Sequence, residues 1–119
     1  DQNYAIGASK ANVKRLFSNF RITENYLPSY PYSIKFENKN LMICIDFNTN
    51  WIAEGAYVET YVVDDPITGV GSYVYKNYDK IVKLIIGNKN ISVQDDTELY
   101  NSTGLRKYPT ALFIGNYYE

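Results

Sequence analysis

The chain contains no histidine and only one cysteine. Without histidine there is no Ser-His-Asp or Cys-His nucleophile system, no imidazole acid or base, and no histidine-bearing metal site. Cys44 alone cannot form an internal disulfide or a cysteine-rich zinc site. Because no histidine base can activate it, we interpret Cys44 as a packing residue of a half-buried strand. The sequence therefore predicts neither a cofactor nor a metal, and it favours a protein that is not an enzyme.

A strong net charge and a long apolar run are also missing. Twelve basic and thirteen acidic residues give a net charge of −1, so the chain has no basic field for phosphate-backbone binding and no nucleic-acid partner is expected. No apolar run approaches the roughly 20 residues that a membrane span needs. A length of 119 residues fits one domain, residues 1–119, and the composition is that of a globular chain.

Tyrosine is the residue that the chain has in excess, with thirteen copies. A tyrosine ring can be buried while its hydroxyl stays in water, which suits it to contact surfaces. Together with the missing catalytic chemistry, this favours a non-enzymatic binding module that acts through protein–protein contact. A glycan is the alternative partner.

The sequence begins with Asp1, which removal of a signal peptide or a lipoprotein leader would explain, as would a trimmed domain boundary. We therefore expect a secreted, periplasmic or cell-envelope protein, with a lipid tether as one way to hold it there. The segment Thr110–Tyr118 is similar to a late strand in secretion-apparatus outer-membrane lipoproteins. That similarity spans less than a tenth of the chain and contains no diagnostic motif, so no function or residue role is carried over from it. A secretion-apparatus or lipoprotein component is one form of the envelope-associated module expected here.

An amphipathic pattern predicts one helix, over about residues 9–22, with Ser9 as its N-cap. Its apolar stripe follows the spacing i, i+3, i+4 and i+7 and consists of Val13, Leu16, Phe17 and Phe20. Isolated helices of this length are marginal in water, so we expect the stripe to dock on the rest of the protein.

A Tyr/Pro linker, residues 26–32, separates this helix from a β-rich body, residues 32–118. Alternating and β-branched patterns predict the strands of that body. They are residues 32–37, Leu41–Phe47, Trp51–Val63 with a bulge at Gly55, Ser72–Ile86, Ile91–Val93, Glu98–Tyr100 and Ala111–Tyr118. The predicted fold class is α+β, one N-terminal helix packed on a mostly antiparallel sheet of six or seven strands. A β-sandwich with an appended helix is the alternative.

The candidate partner-binding residues come from two accessible segments, the linker and the loop 64–71. They are Tyr26, Tyr30, Tyr32, Asp64, Asp65 and Ile67. Tyr30 is the leading candidate because Pro28 and Pro31 restrict its rotation into a core. A rigid aromatic residue in a loop stiffened by proline loses little entropy when it binds a partner.

Two other functions remain open from the residues alone. A carbohydrate-binding domain would use an aromatic platform across the predicted long hairpin, although cross-strand pairing explains the same rings. Its members would be Trp51, Tyr57, Tyr61, Tyr73 and Tyr75. A small hydrolase would need two carboxylates facing each other across a cleft. The available acids are Asp64, Asp65, Asp79, Asp95, Asp96 and Glu98, which solvated loops also explain.

One segment matches the first half of a calcium-binding loop, through Asp46, Asn48 and Asn50. The second half fails, since Trp51 stands where the tight turn needs glycine and Tyr57 stands where the ion needs glutamate. We therefore interpret the segment as a hairpin turn rich in Asp and Asn.

Overall fold

A computed structural model describes residues 2–99 and 104–115. Its centre is an antiparallel sheet of six strands in the spatial order β1-β2-β3-β4-β6-β5. The strands are β1 (Arg21–Glu24), β2 (Ser33–Glu37), β3 (Leu41–Phe47), β4 (Ala53–Thr60), β5 (Val93–Asp95) and β6 (Ala111–Gly115). The helices are α1 (Lys10–Leu16), α2 (Tyr73–Lys76), α3 (Tyr78–Ile86) and α4 (Asp96–Leu99). The predicted α+β class is confirmed, with six strands.

One face of the sheet carries the core. Strand register aligns apolar side chains in two rows across β2, β3, β4 and β6. These rows are Ile34, Ile45, Ala56 and Ile114, and then Phe36, Ile43, Val58 and Leu112. The buried side chains of α1, α2 and α3 belong to the same cluster, so these helices pack on that face. The opposite face, called the outer face below, carries the alternating residues of the same strands.

The N-terminal helix docks as expected but is shorter than predicted. Ser9 caps it by accepting a hydrogen bond from the Asn12 amide at 3.3 Å. Val13 and Phe17 are fully buried, and the Phe17 ring lies 4.9 Å from the ring of Phe36 in β2. Leu16 and Phe20 are partly buried against the same cluster.

The prediction that the helix continues to residue 22 is wrong. Residues 21–24 form β1, which pairs with β2. The β-branched Ile22 and Thr23 fit a strand edge better than a helix interior. Glu24 at the end of β1 binds back to the helix, with 2.7 Å to the Lys10 ammonium and 2.8 Å to that of Lys14. Those two cations hold the pKa of Glu24 below its usual range.

The long strand predicted over Ser72–Ile86 is also wrong, because this segment forms α2 and α3. Its buried residues Val74, Ile81 and Ile85 recur at helical spacing, and Lys80 and Lys83 are exposed. The segment is rich in tyrosine, valine and isoleucine, which favour strands. The strand prediction followed this composition and missed the helical spacing of the buried residues. Without the second strand, the predicted long hairpin does not exist, and β4 pairs with β3 and β6 instead.

The remaining strand predictions hold with altered bounds. The hairpin of β2 and β3 is present as expected, and the strand over Trp51–Val63 shortens to β4. The register shift opposite Asp46 and Phe47 leaves Glu54 as the extra residue of β4, next to the predicted bulge at Gly55. Of the predicted strand Ile91–Val93, β5 takes in only Val93.

The last two predicted strands differ from the structure or extend beyond the described residues. The strand predicted over Glu98–Tyr100 is wrong for its described part, since Asp96–Leu99 form α4. Tyr100 lies outside the described residues, as do residues 116–118 of the last predicted strand. Across residues 2–99 and 104–115, each helix is too short or too polar to cross a membrane.

Candidate interaction surface

The Tyr/Pro segment forms an ordered loop between β1 and β2. Asn25 turns the chain out of β1 in the left-handed conformation, with a φ of 57°, which asparagine tolerates better than most residues. The Tyr30 amide donates to the Leu27 carbonyl at 3.0 Å, and the Ser33 amide donates to the Tyr30 carbonyl at 3.2 Å. These turns, with two prolines of fixed φ, hold the loop in one shape. Residues 25–32 are called the Tyr30 loop below.

The Tyr30 loop presents apolar side chains to solvent. Tyr30 is 61% exposed, Leu27 is 42% exposed and Tyr32 is 37% exposed. Ser29 lies among them, so the surface is a mixed apolar and polar one. The prediction that Tyr30 points away from the core agrees with this position, and its role in binding stays a prediction.

Tyr32 is held in place by aromatic neighbours. Its ring lies 5.0 Å from the ring of Trp51, which in turn lies 5.5 Å from the ring of Phe47. The Lys10 ammonium sits 4.0 Å from the centre of the Trp51 ring and adds a cation–π contact. The Phe47 amide also donates to the Tyr32 carbonyl at 2.8 Å. Ring packing and a backbone hydrogen bond therefore hold the Tyr30 loop against the end of β3.

A shallow cleft of about 200 Å³ opens between the loop and the end of β3. Its lining consists of Ser29, Tyr30, Pro31, Tyr32, Ser33, Asp46 and Phe47. We call it the Asp46 cleft, because Asp46 supplies the only charged side chain of that lining. Asp46 comes from β3, and Ser33 is its register partner in β2.

Asp46 is in an unfavourable electrostatic setting. Burial raises the pKa of its carboxyl group, and the nearby Glu54 carboxylate raises it further, while the Ser33 hydroxyl offsets part of the shift. Among the described residues, no basic side chain lies within ion-pairing distance of Asp46. The cleft thus contains a partly buried negative charge that the described protein does not neutralise.

Tyr26 has a structural position rather than an exposed one. Its hydroxyl lies 3.0 Å from the Ser33 hydroxyl, and the Lys35 ammonium lies 5.4 Å from the centre of its ring. Burial raises the pKa of Tyr26 well above its usual range, and the neighbouring Cys44 raises it further. Tyr26 is therefore partly buried on the outer face of the sheet beside the cleft, and its role in binding stays a prediction. Cys44 itself is buried there.

The second predicted binding segment, the loop 64–71, lies after β4. The Asp65 carboxylate accepts hydrogen bonds from the amides of Ile67 and Thr68, at 3.0 and 3.2 Å. Hydrogen bonding from Thr68 and Ile67 lowers the pKa of Asp65, so the ionised carboxylate closes this turn. Asp64 is exposed, 4.0 Å from the Lys76 ammonium, and Ile67 is 64% exposed.

The sheet register separates the two predicted binding segments. Ser33 and Asp46 mark one end of the β2–β3 pair, and the loop 64–71 follows Thr60, which pairs with Leu41 at the other end. The seven residues of β3 span about 20 Å. A small contact would therefore use one segment or the other.

The rings expected to form a carbohydrate platform do not share one surface. Trp51 packs against Tyr32 and Phe47 at the end of β3, whereas Tyr57 packs on Phe113 at 5.0 Å in the sheet. Tyr73 and Tyr75 lie on α2. The Tyr61 hydroxyl donates to the Glu37 carboxylate, and burial and this bond raise the pKa of Tyr61 to about 12.

Two of the acids considered for a hydrolase accept hydrogen bonds from nearby backbone amides. Asp96 is buried and accepts hydrogen bonds from the amides of Thr110 and Ala111, at 2.8 and 3.3 Å. Asp95 accepts a bond from the Thr97 amide at 2.9 Å. Asp79 and Glu98 are exposed.

The half-matching calcium segment forms a turn closed by its own side chains. The Asn48 side-chain oxygen accepts hydrogen bonds from the amides of Asn50 and Ile52, at 2.9 and 3.1 Å. This is the expected Asx arrangement. In the part of the chain that the structure describes, no three acidic or cysteine side chains come together as a metal-binding group.

A second, larger cleft of about 530 Å³ was not foreseen from the sequence. Its lining residues are Gln2, Asn3, Tyr4, Lys83, Gly87, Asn88 and Lys89. They come from the N-terminal segment and the end of α3, which the hydrogen bond from the Ala5 amide to the Leu84 carbonyl holds together at 3.0 Å. No spacing in the sequence indicates this contact, because the two segments are distant in the chain.

No family model matches this chain, and no curated protein and no solved structure shows significant similarity to it.

Proposed function

We propose that the protein is a non-enzymatic binding module that contacts a protein partner through the Tyr30 loop. The observation that carries this proposal is the position of Tyr30, 61% exposed on a loop whose backbone is closed by hydrogen bonds. Tyrosine is enriched among the residues that dominate binding energies at interfaces. A loop that is already ordered loses little entropy on association.

The surroundings of Tyr30 favour a protein partner over a glycan. A glycan-binding platform needs flat rings that lie side by side, whereas Tyr32 and Trp51 are tilted by 52°. A protein interface combines an apolar centre with a polar rim. Leu27, Tyr30 and Tyr32 supply apolar surface, and Ser29 and Asp46 lie beside them.

Export or attachment to the cell envelope is the setting in which we propose that this module works. A non-enzymatic component of a secretion apparatus, or a lipoprotein held by a lipid tether, would need a contact surface of this kind. The support is the sequence reasoning given above. Cell fractionation of the native protein tests this part of the proposal, and recovery in the cytoplasmic fraction would contradict it.

Selection from a random peptide display library on the immobilised protein tests the binding function. We expect enriched peptides to bind the wild type and to lose binding to Tyr30→Ala. The matched control is Tyr75→Ala, which removes a tyrosine that is also exposed, on α2 near the other end of the sheet. Thermal melts of both variants check that they fold.

The outcomes separate the competing functions. Peptides that bind Tyr30→Ala as well as wild type would place the contact elsewhere. Failure to enrich any peptide, together with binding on a glycan array that Tyr30→Ala abolishes, would favour the carbohydrate-binding alternative.

A further inference from the structure

The size of the Asp46 cleft limits what it can hold. Pockets for small-molecule ligands usually enclose roughly 300–1,000 Å³. At about 200 Å³ the Asp46 cleft is smaller than this range and lies open at the surface. It is large enough for one side chain that projects from a partner.

The charge of the cleft restricts that side chain further. The lining contains one carboxylate and no lysine or arginine. Glu54, the extra residue of the bulge in β4, adds a second negative charge nearby. A partly buried charge is unfavourable unless an opposite charge pairs with it. A cation from outside would supply that pairing.

The rest of the lining suits a long basic side chain. Tyr30 and Tyr32 line the cleft, and the faces of aromatic rings attract cations. Pro31 and Phe47 add apolar surface for the methylene groups of such a side chain. A guanidinium group can stack on a tyrosine ring and bind a carboxylate at the same time, which an ammonium group does less well.

We infer that the Asp46 cleft accepts a basic side chain of the protein partner, an arginine in the best-fitting case, with its charge against Asp46 and its stem along Tyr30 and Tyr32. This inference rests on the proposed binding function and names the chemistry that the partner must offer. In this arrangement the Tyr30 loop recognises an exposed basic side chain of the partner and does more than provide apolar contact.

Two focused display libraries test the inference. One library fixes arginine at the centre of a random peptide, and the other fixes glutamine, which is neutral. We expect enrichment on the wild-type protein from the arginine library. The best arginine peptide and its citrulline analogue, which keeps the shape without the charge, then serve as probes for dissociation constants.

Asp46→Asn is the decisive variant, because it removes the charge and keeps the shape. We expect it to weaken binding of the arginine peptide about ten-fold or more, the scale of a hydrogen bond to a charged group. Citrulline in the peptide should cause a similar loss, and combining the two changes should add little, because both remove the same pair. Glu54→Gln, a neighbouring charge outside the lining, should change the dissociation constant less than about three-fold.

The outcomes distinguish this inference from the function on which it rests. If peptides from the glutamine library bind equally well, depend on Tyr30 and ignore Asp46→Asn, the basic-residue inference is wrong and the binding function stands. If neither library gives peptides that depend on Tyr30, both are wrong. A loss with Asp46→Asn that is the same for the arginine and citrulline peptides would also contradict the charge pairing.

Discussion

At the scale of single residues, Asp46 is predicted to reduce the stability of the folded protein at neutral pH. Its pKa is raised in the folded state, so the folded protein binds this proton more readily than the unfolded chain does. The contribution of Asp46 to the free energy of unfolding is therefore most favourable at low pH. It decreases as the pH rises from the unfolded pKa, about 3.9, through the raised folded pKa.

Asp46→Asn should consequently raise the melting temperature at pH 7. The gain should disappear below about pH 3, where the wild-type carboxyl is protonated in both states. Melts of both proteins across this pH range check the prediction. A variant less stable than wild type at pH 7 would mean that the carboxylate makes a stabilising contact, and that the cleft does not hold an unneutralised charge.

Tyr26 and Tyr30 should differ in their effects on stability. Tyr26 packs on the outer face and its hydroxyl lies 3.0 Å from that of Ser33, so Tyr26→Ala should cost more than about 1 kcal/mol. Tyr30→Ala should stay within about 0.5 kcal/mol because the side chain is exposed. Urea unfolding of each variant measures this, with Tyr26→Phe as the control that removes the hydroxyl alone. Equal losses of unfolding free energy in Tyr26→Ala and Tyr30→Ala would contradict the packed position of Tyr26 and the exposed position of Tyr30.

The sequence indicated some of these residue properties and concealed others. The prolines around Tyr30 were enough to predict its exposure. Tyr26, in the same segment, was grouped with it, because no local pattern reveals that its ring lies beside Ser33 and Lys35. Asp46 was considered for a calcium loop, and its cleft depends on β1, β2 and β3 pairing in one register, which is a tertiary property.

At the scale of secondary-structure elements, docking of α1 is predicted to depend on Phe17. Phe17 is fully buried and contacts Phe36 and Phe20. Phe17→Ala should therefore lower the free energy of unfolding by about 3–5 kcal/mol. Val62→Ala, at a side chain that is 64% exposed, is the control and should change it by less than about 0.5 kcal/mol. A loss under about 1 kcal/mol for Phe17→Ala would mean that α1 contributes little to the core.

The loop 64–71 should depend on Gly69. Its φ is +84°, and an added Cβ would clash with the backbone carbonyl of Tyr108. Gly104 has a φ of +64° with open space around it, so Gly104→Ala isolates the conformational penalty, roughly 1–2 kcal/mol. Gly69→Ala should destabilise the protein more than Gly104→Ala does, as measured by denaturant unfolding. Equal effects would show that the loop moves to relieve the clash.

The sequence predicted elements well where one period was clear. The β2–β3 hairpin followed from strict alternation around the turn at Asn38 and Asn40. The segment of α2 and α3 was assigned as a strand because β-branched and aromatic residues dominate its composition, although Ile81 and Ile85 stand four residues apart with Lys83 between them. Strand β1 was missed because Arg21–Glu24 form a short edge that only its pairing with β2 defines.

At the scale of the whole molecule, folding is predicted to need no divalent metal. The half-matching calcium segment forms a turn through Asn48, and the sequence offers no histidine. Melting temperatures in calcium, in zinc and in a chelator should agree within error. A rise of several degrees with calcium would overturn this prediction and would point to a site at the end of β3.

Strand order decides which of the predicted binding segments can act together. From the sequence, the Tyr30 loop and the loop 64–71 were both predicted to belong to the interaction surface, because both are accessible. Antiparallel pairing through β2, β3 and β4 places them about 20 Å apart, at opposite ends of the sheet. We therefore propose that a partner contacts the Tyr30 end of the molecule, with its Asp46 cleft, and not the loop 64–71.

Backbone amide chemical shifts, recorded while a selected peptide is titrated into the labelled protein, locate the contact surface residue by residue. We expect the largest shifts at Leu27, Tyr30, Ser33 and Phe47, and little change at Ile67 at the other end of the sheet. Shifts concentrated around the loop 64–71, or around Lys83 and Lys89 in the larger cleft, would contradict this proposal.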